Sequence, residues 1–268
     1  MFQTFYGFSR LPFSKDIPPQ DLFPAEGQRE LCARLGYLVK ERGLGLVTGE
    51  TGSGKSTAIR LFVTSLDANR YFVIYLSNPL LGMSGLYREI LTALGYEPLF
   101  SRPKMVTRIR SALEDLIQTK HRMPLVILDE AHTLPDTAFD QFRLLFSTQM
   151  DSQSLGTLLL VGHPQLRRTL RLATHEAFYQ RLTTTYHLQP FDLGQTIAYI
   201  RHHVQLAGYK AGPLFPEDAI ARIYDYTKGV PRQINRLCTT ALLVGMADGR
   251  QVLEESVIRK AIADLDQG

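Results

Sequence analysis

The chain has 268 residues, 44% hydrophobic and 21% charged, which suits a soluble protein with a sizeable buried core. No apolar run approaches the roughly 18 residues that cross a bilayer, and the opening MFQTFYGFSRLPF lacks the basic and apolar regions of a secretory leader. The net charge of +4 permits a nucleic-acid partner without requiring one. Cys32 and Cys238 match no metal or redox spacing, so two reduced thiols and a cytoplasmic location are expected.

Short aliphatic runs alternate with helical patterns, the arrangement of a parallel sheet with crossover helices. GLGLVT (43–48) reads as a strand entering a glycine-rich loop, and a helix follows from Lys55 to about residue 66. YFVIYLS (71–77) is the next strand, followed by helices near 85–94 and 103–121. PLVILDE (124–130) is an apolar strand ending in two acids, as expected of a buried central strand. GTLLLVG (156–162) and TTTYHL (183–188) complete the strands. From Asp192 onward only helical patterns occur, at about 192–207, 216–227, 231–247 and 254–265, with Asp192 and Pro216 as helix starts. The expected division is an α/β core over 1–190 and a helical lid over 191–268.

The loop GETGSGKS fits G-x-x-x-x-G-K-[ST] and lies between a strand and a helix, where the mechanism requires it. Its glycines let successive backbone N–H groups turn toward phosphate oxygens, and the helix start adds its positive end. Gly49, Glu50, Thr51, Gly52, Ser53, Gly54, Lys55, Ser56 and Thr57 are therefore the candidate nucleotide cradle. Lys55 would reach the terminal phosphates of ATP, and Ser56 would ligate Mg²⁺. Asp129 would hold the same ion, and Glu130 would polarise the attacking water, so hydrolysis is expected and not binding alone.

Arg102, Lys104, Arg108, Arg110, Lys120 and Arg122 crowd a segment holding only Glu114 and Asp115 as acids. Arg167, Arg168 and Arg171 form a second cluster. Each reads equally as a phosphate-contacting face or as a solvated helix face.

GETGSGKS, VILDEAH, LLLVGHPQL, FYQRL and GVPRQIN occur in an order and spacing similar to AAA+ ATPases. With the FYGFSRLPF opening, the chain resembles the ExeA-like branch of that family over residues 2–262. The resemblance implies a P-loop NTPase core with a helical lid. It also implies that Asn78 restrains the catalytic glutamate, His163 stands at the γ-phosphate sensor, and Arg181 is offered as a finger to a neighbouring subunit. Arg232 would be the lid sensor, and Leu11, Pro12 and Phe13 would cover the adenine.

ExeA-type domains are similar to transposition helper ATPases of the TnsC, TniB, Mu B and IstB type. That likeness implies a homo-oligomeric ring or filament on duplex DNA that recruits or activates a transposase and disassembles on hydrolysis. Arg102, Lys104, Arg108 and Arg110 would then contact phosphates without reading sequence, and no base-reading module is evident. The alternatives are the ExeA-type secretion ATPase, which continues into a transmembrane helix and a wall-binding region, and a protein-switch ATPase that binds no DNA. This sequence carries neither extension, and the expectation on that ground is the DNA-binding reading, without a membrane partner.

Overall fold

The computed structural model describes residues 2–14, 16–148 and 153–267. In chain order the elements are α1 (Phe2–Tyr6), α2 (Glu26–Glu41), β1 (Leu44–Gly49), α3 (Lys55–Ser65), β2 (Tyr71–Leu76), α4 (Gly82–Ala93) and α5 (Arg102–Gln118). They continue with β3 (Met123–Leu128), α6 (Thr137–Phe146), β4 (Ser147–Thr148), β5 (Gln153–Ser154), β6 (Thr157–Gly162), α7 (Pro164–Leu170), α8 (Glu176–Tyr179) and β7 (Leu182–Leu188). Four helices close the chain: α9 (Leu193–Leu206), α10 (Glu217–Thr227), α11 (Pro231–Ala247) and α12 (Glu255–Gln267).

Two compact units result. One comprises 27–51 and 55–188; the other comprises 1–26, 52–54 and 189–268. In the first, a five-stranded sheet runs in the order β2-β3-β6-β1-β7 with every pair parallel. The three central strands β3, β6 and β1 are almost wholly buried, which is why they read as unbroken aliphatic runs. Alternate side chains feed two layers. Ile74, Val126, Leu128, Leu158 and Leu160 pack with α4, α5 and α6, whereas Val47, Leu125, Ile127, Leu159 and Val161 pack with α2 and α3. β3 stops at Leu128, so Asp129 and Glu130 stand in the turn beyond the strand and not within it.

The second unit is helical, and its partition differs from the expected boundary at the front of the chain. Residues up to Glu26 group with 189–268 because their aromatic side chains enter that core: Tyr6, Phe8 and Phe13 are all buried there. The Tyr6 hydroxyl donates to the Leu242 and Arg250 carbonyls at 3.3 and 3.1 Å. α9 begins with a capping box, Asp192 accepting from the Gln195 N–H at 2.7 Å while the Gln195 side chain accepts from Asp192 N–H at 3.2 Å.

His203 on α9 is buried in this aromatic cluster, stacked on Phe13 at 5.2 Å and packed on Tyr199 at 4.4 Å. Burial, helped by His202 and Arg10, pushes its pKa down from 6.5 to about 4. The unfolded chain therefore takes up a proton first as pH falls. This contribution to stability is complete above pH 6.5 and drains away between 6.5 and 4, by about 3 kcal/mol. Urea unfolding of wild type and His203→Phe at pH 7 and pH 4.5 checks this. The midpoints should move closer together at the lower pH, and a constant difference would refute it.

Candidate active site

β1 delivers the chain into the glycine-rich loop, and α3 begins at Lys55. Gly52 and Gly54 have φ of +84° and +96°, a region that other residues enter at a cost of roughly 1–2 kcal/mol. Lys55 Nζ donates to the carbonyls of Gly49 and Glu50 at 2.8 and 2.9 Å, which closes the loop on itself. Ser53 is 2% exposed, yet its hydroxyl has no protein partner. A buried hydroxyl left over in such a loop suits a cradle meant for a phosphate oxygen. Glu50, Thr51 and Thr57 occupy the flanks, Glu50 and Thr51 exposed and Thr57 half-buried.

Ser56, at the second position of α3, donates from Oγ to Asp129 Oδ2 at 3.3 Å. This contact joins the two halves expected from the sequence, the phosphate loop and the end of β3. Asp129 is 6% exposed and held by two further donors. The Tyr75 hydroxyl reaches Oδ2 at 2.6 Å, and the Glu130 N–H reaches Oδ1 at 2.9 Å. Burial and the bond to Asp129 push the Tyr75 phenol well above its ordinary value, so it remains a donor.

A hydroxyl and a carboxylate this close fit a Mg²⁺ that completes its octahedron with water and phosphate oxygens. Among the described residues no group of three or more His, Cys, Asp or Glu could hold a metal by itself. The donor set therefore fits a cation shared with a nucleotide.

Glu130 has φ 52° and ψ 30°, left-handed for a residue with a side chain. Its carbonyl accepts from the Thr133 N–H and hydroxyl at 3.0 and 2.9 Å, which pins the turn. The carboxylate is 59% exposed, with His132 Nδ1 3.3 Å from Oε2. His163, after β6, places Nε2 3.3 Å from Glu50 Oε2. His187 on β7 shares a hydrogen bond with the Thr48 hydroxyl at 3.0 Å, and burial pushes its pKa down, with the Arg167 charge adding to the effect.

The remaining expected residues fall in varied places. Asn78 is exposed before the turn Pro79–Leu81 and its side chain caps nothing there. Arg181, after α8, donates to the Ser147 hydroxyl at 3.0 Å. Arg232 is the second residue of α11, and its N–H donates to the Gly52 carbonyl at 3.2 Å. Phe13 is not a surface ring: it is 5% exposed in the helical core, and the exposed member of its trio is Leu11 at 51%. On α5, Arg102, Lys104 and Arg108 are exposed. Arg110 is tied instead to the Ser147 carbonyl at 2.6 Å.

Sequence reading missed Tyr75 and His132. For Tyr75 a signal existed: it pairs with Ile127 in register, so its side chain shares the face on which Asp129 emerges two residues later. For His132 none did, because its approach to Glu130 depends on the left-handed turn.

Residues 39–170 match the model of the AAA domain family. The parallel sheet, with the glycine-rich loop leaving β1, has the α/β fold of P-loop NTPases. The chain is 32% identical over 257 residues to the General secretion pathway protein A of Aeromonas hydrophila, covering 93% of this chain and 46% of that protein. It thus spans about half the length of that relative.

Among solved structures it is similar to Cdc6p of Pyrobaculum aerophilum, with a TM-score of 0.71 and 17% identity over 94% of this chain and 70% of that one. It is also similar to the Aeropyrum pernix ORC1 protein, solved in complex with DNA (TM-score 0.68, 15% identity, 94% and 68% covered). A third is the Thermotoga maritima RuvB branch migration motor (TM-score 0.56, 17% identity, 89% and 70%). At these identities the likeness is one of fold. No helix among the described residues is long and apolar enough to cross a membrane.

Proposed function

We propose that this protein is a cytoplasmic, Mg²⁺-dependent ATPase working as an oligomeric switch for a protein-secretion assembly. The observation that carries the ATPase reading is the junction of Ser56 and Asp129 at 3.3 Å, with Glu130 next in the chain. Lys55 and the loop N–H groups would bind the phosphates, and Ser56 and Asp129 would hold the cation. Mg²⁺ bound there supplies charge neutralisation on the transferring phosphoryl group. Glu130 orients the attacking water and accepts its proton as the bond to the γ-phosphorus forms and the bond to ADP breaks. Arg181, by resemblance, would neutralise charge on a neighbouring subunit's nucleotide. The secretion role is supported by the 32% identity to the General secretion pathway protein A of Aeromonas hydrophila.

A second reading is an ATP-dependent regulator of DNA transposition that assembles on duplex DNA and engages a transposase. The exposed α5 face of Arg102, Lys104 and Arg108 supports it. Sedimentation and electron microscopy with a slowly hydrolysed ATP analogue, with and without duplex DNA across a salt series, separate the two. Nucleotide-dependent oligomers indifferent to DNA favour the secretion switch. Assemblies on DNA that weaken with salt favour the second reading. Absence of Mg²⁺-dependent ATP hydrolysis would sink both.

A further inference from the structure

His132 places one nitrogen between two claimants. Its Nδ1 is 3.3 Å from Glu130 Oε2 and 3.5 Å from the backbone nitrogen of His163. His163 in turn sets its Nε2 3.3 Å from Glu50 on the phosphate loop, and the two rings stand 6.0 Å apart. An ionised carboxylate only accepts a hydrogen bond, and a backbone N–H only donates one. A ring nitrogen does one or the other at a given moment. When Nδ1 carries hydrogen it serves Glu130; when it offers its lone pair it serves His163. The two contacts exclude each other. In the structure the His163 N–H donates to Nδ1 in a long hydrogen bond, and Glu130 stands at ion-pair distance from the same nitrogen.

The surroundings confine movement to the side chains. The Glu130 backbone is pinned by Asp129 on one side and Thr133 on the other. Its carboxylate is 59% exposed, whereas the His132 side chain is 27% exposed and seated against the end of β6. Gly162 makes that seat. A Cβ there would lie 3.0 Å from the Leu166 side chain, 3.2 Å from the His132 backbone nitrogen and 3.4 Å from Nδ1.

We propose that His132 is a positioning residue that couples the end of β6 to the Glu130 carboxylate. Donation from Nδ1 fixes Oε2 and leaves Oε1 to face the attacking water. Transfer of Nδ1 to the His163 N–H releases the carboxylate, so a shift at position 163 is felt at Glu130. This rests on the reading of Glu130 as the group that orients water.

The test uses the full chain, with steady-state ATP hydrolysis and titration of the fluorescent analogue mant-ATP. His132→Ala should lower kcat roughly tenfold while mant-ATP affinity stays within about twofold. His132→Asn, which brings an amide N–H to the place of Nδ1, should recover most of the loss. His132→Gln, whose amide reaches the place of Nε2, should not. In a Glu130→Gln background, His132→Ala should cause no further loss.

An equal fold-loss in that background would overturn the proposal, as would rescue by Gln equal to rescue by Asn, or affinity falling in step with kcat. Unchanged turnover in His132→Ala beside a strongly impaired Glu130→Gln would overturn the His132 role alone. Wild-type turnover in Glu130→Gln would overturn the reading of Glu130 itself.

Discussion

Glu130→Gln should leave a protein that binds ATP and scarcely hydrolyses it. The exchange keeps side-chain length and an oxygen that accepts hydrogen bonds, but removes the negative charge that takes the proton from water. Losing a general base costs about 10²–10⁴-fold in rate. The backbone makes glutamine the informative choice. At φ 52° every residue with a side chain is strained, and the Asp129 and Thr133 contacts that hold the turn are main-chain contacts at Glu130. Glutamine leaves them intact, whereas glycine would relax the turn and mix a conformational change with a chemical one. Single-turnover hydrolysis alongside mant-ATP titration separates rate from binding. More than a tenth of the wild-type rate would remove Glu130 from the assigned role.

Lys55→Ala should act on binding instead. The ammonium group now bridges the Gly49 and Glu50 carbonyls at 2.8 and 2.9 Å, so its stem already points along the loop and little reorganisation separates it from a phosphate. A charge-assisted hydrogen bond contributes about 1.5–3 kcal/mol, so losing one or two of them should weaken ATP by about tenfold at the least and by more than 100-fold if both are strong. Truncation also deletes both carbonyl contacts, which are partly exposed, so the unliganded protein should lose only about 1–2 kcal/mol. Calorimetric titration gives the first quantity and urea unfolding the second. Retained affinity would place the phosphates elsewhere than this loop.

The parallel sheet was legible because its inner strands are aliphatic on both faces, and five apolar runs became five strands with ends shifted by one or two residues. The closing helices were legible for the complementary reason. Their apolar positions recur at helical spacing, and Asp192 caps the first of them. α2 and α6 escaped the reading, although each buries a clear stripe such as Leu31, Leu35 and Leu38. The destination of the opening aromatics was not legible, since Tyr6 finds its partners some 240 positions away in sequence. In the site, residues named by spacing alone came together, as Ser56 and Asp129 do. Tyr75 and His132 depended on strand register and a left-handed turn, which one sequence does not display.

Cys238 on α11 has no exposed surface, and burial raises its thiol well above the ordinary value, while Cys32 is only half-buried against the Ala58 carbonyl. Both thiols are free. A thiol sealed in this way reacts only through transient opening of the helices around it. Its alkylation rate, set against that of an unfolded chain, is therefore a clock for how often the helical unit breathes. Cys32 runs beside it as an internal reference, and no label needs to be engineered to read either one.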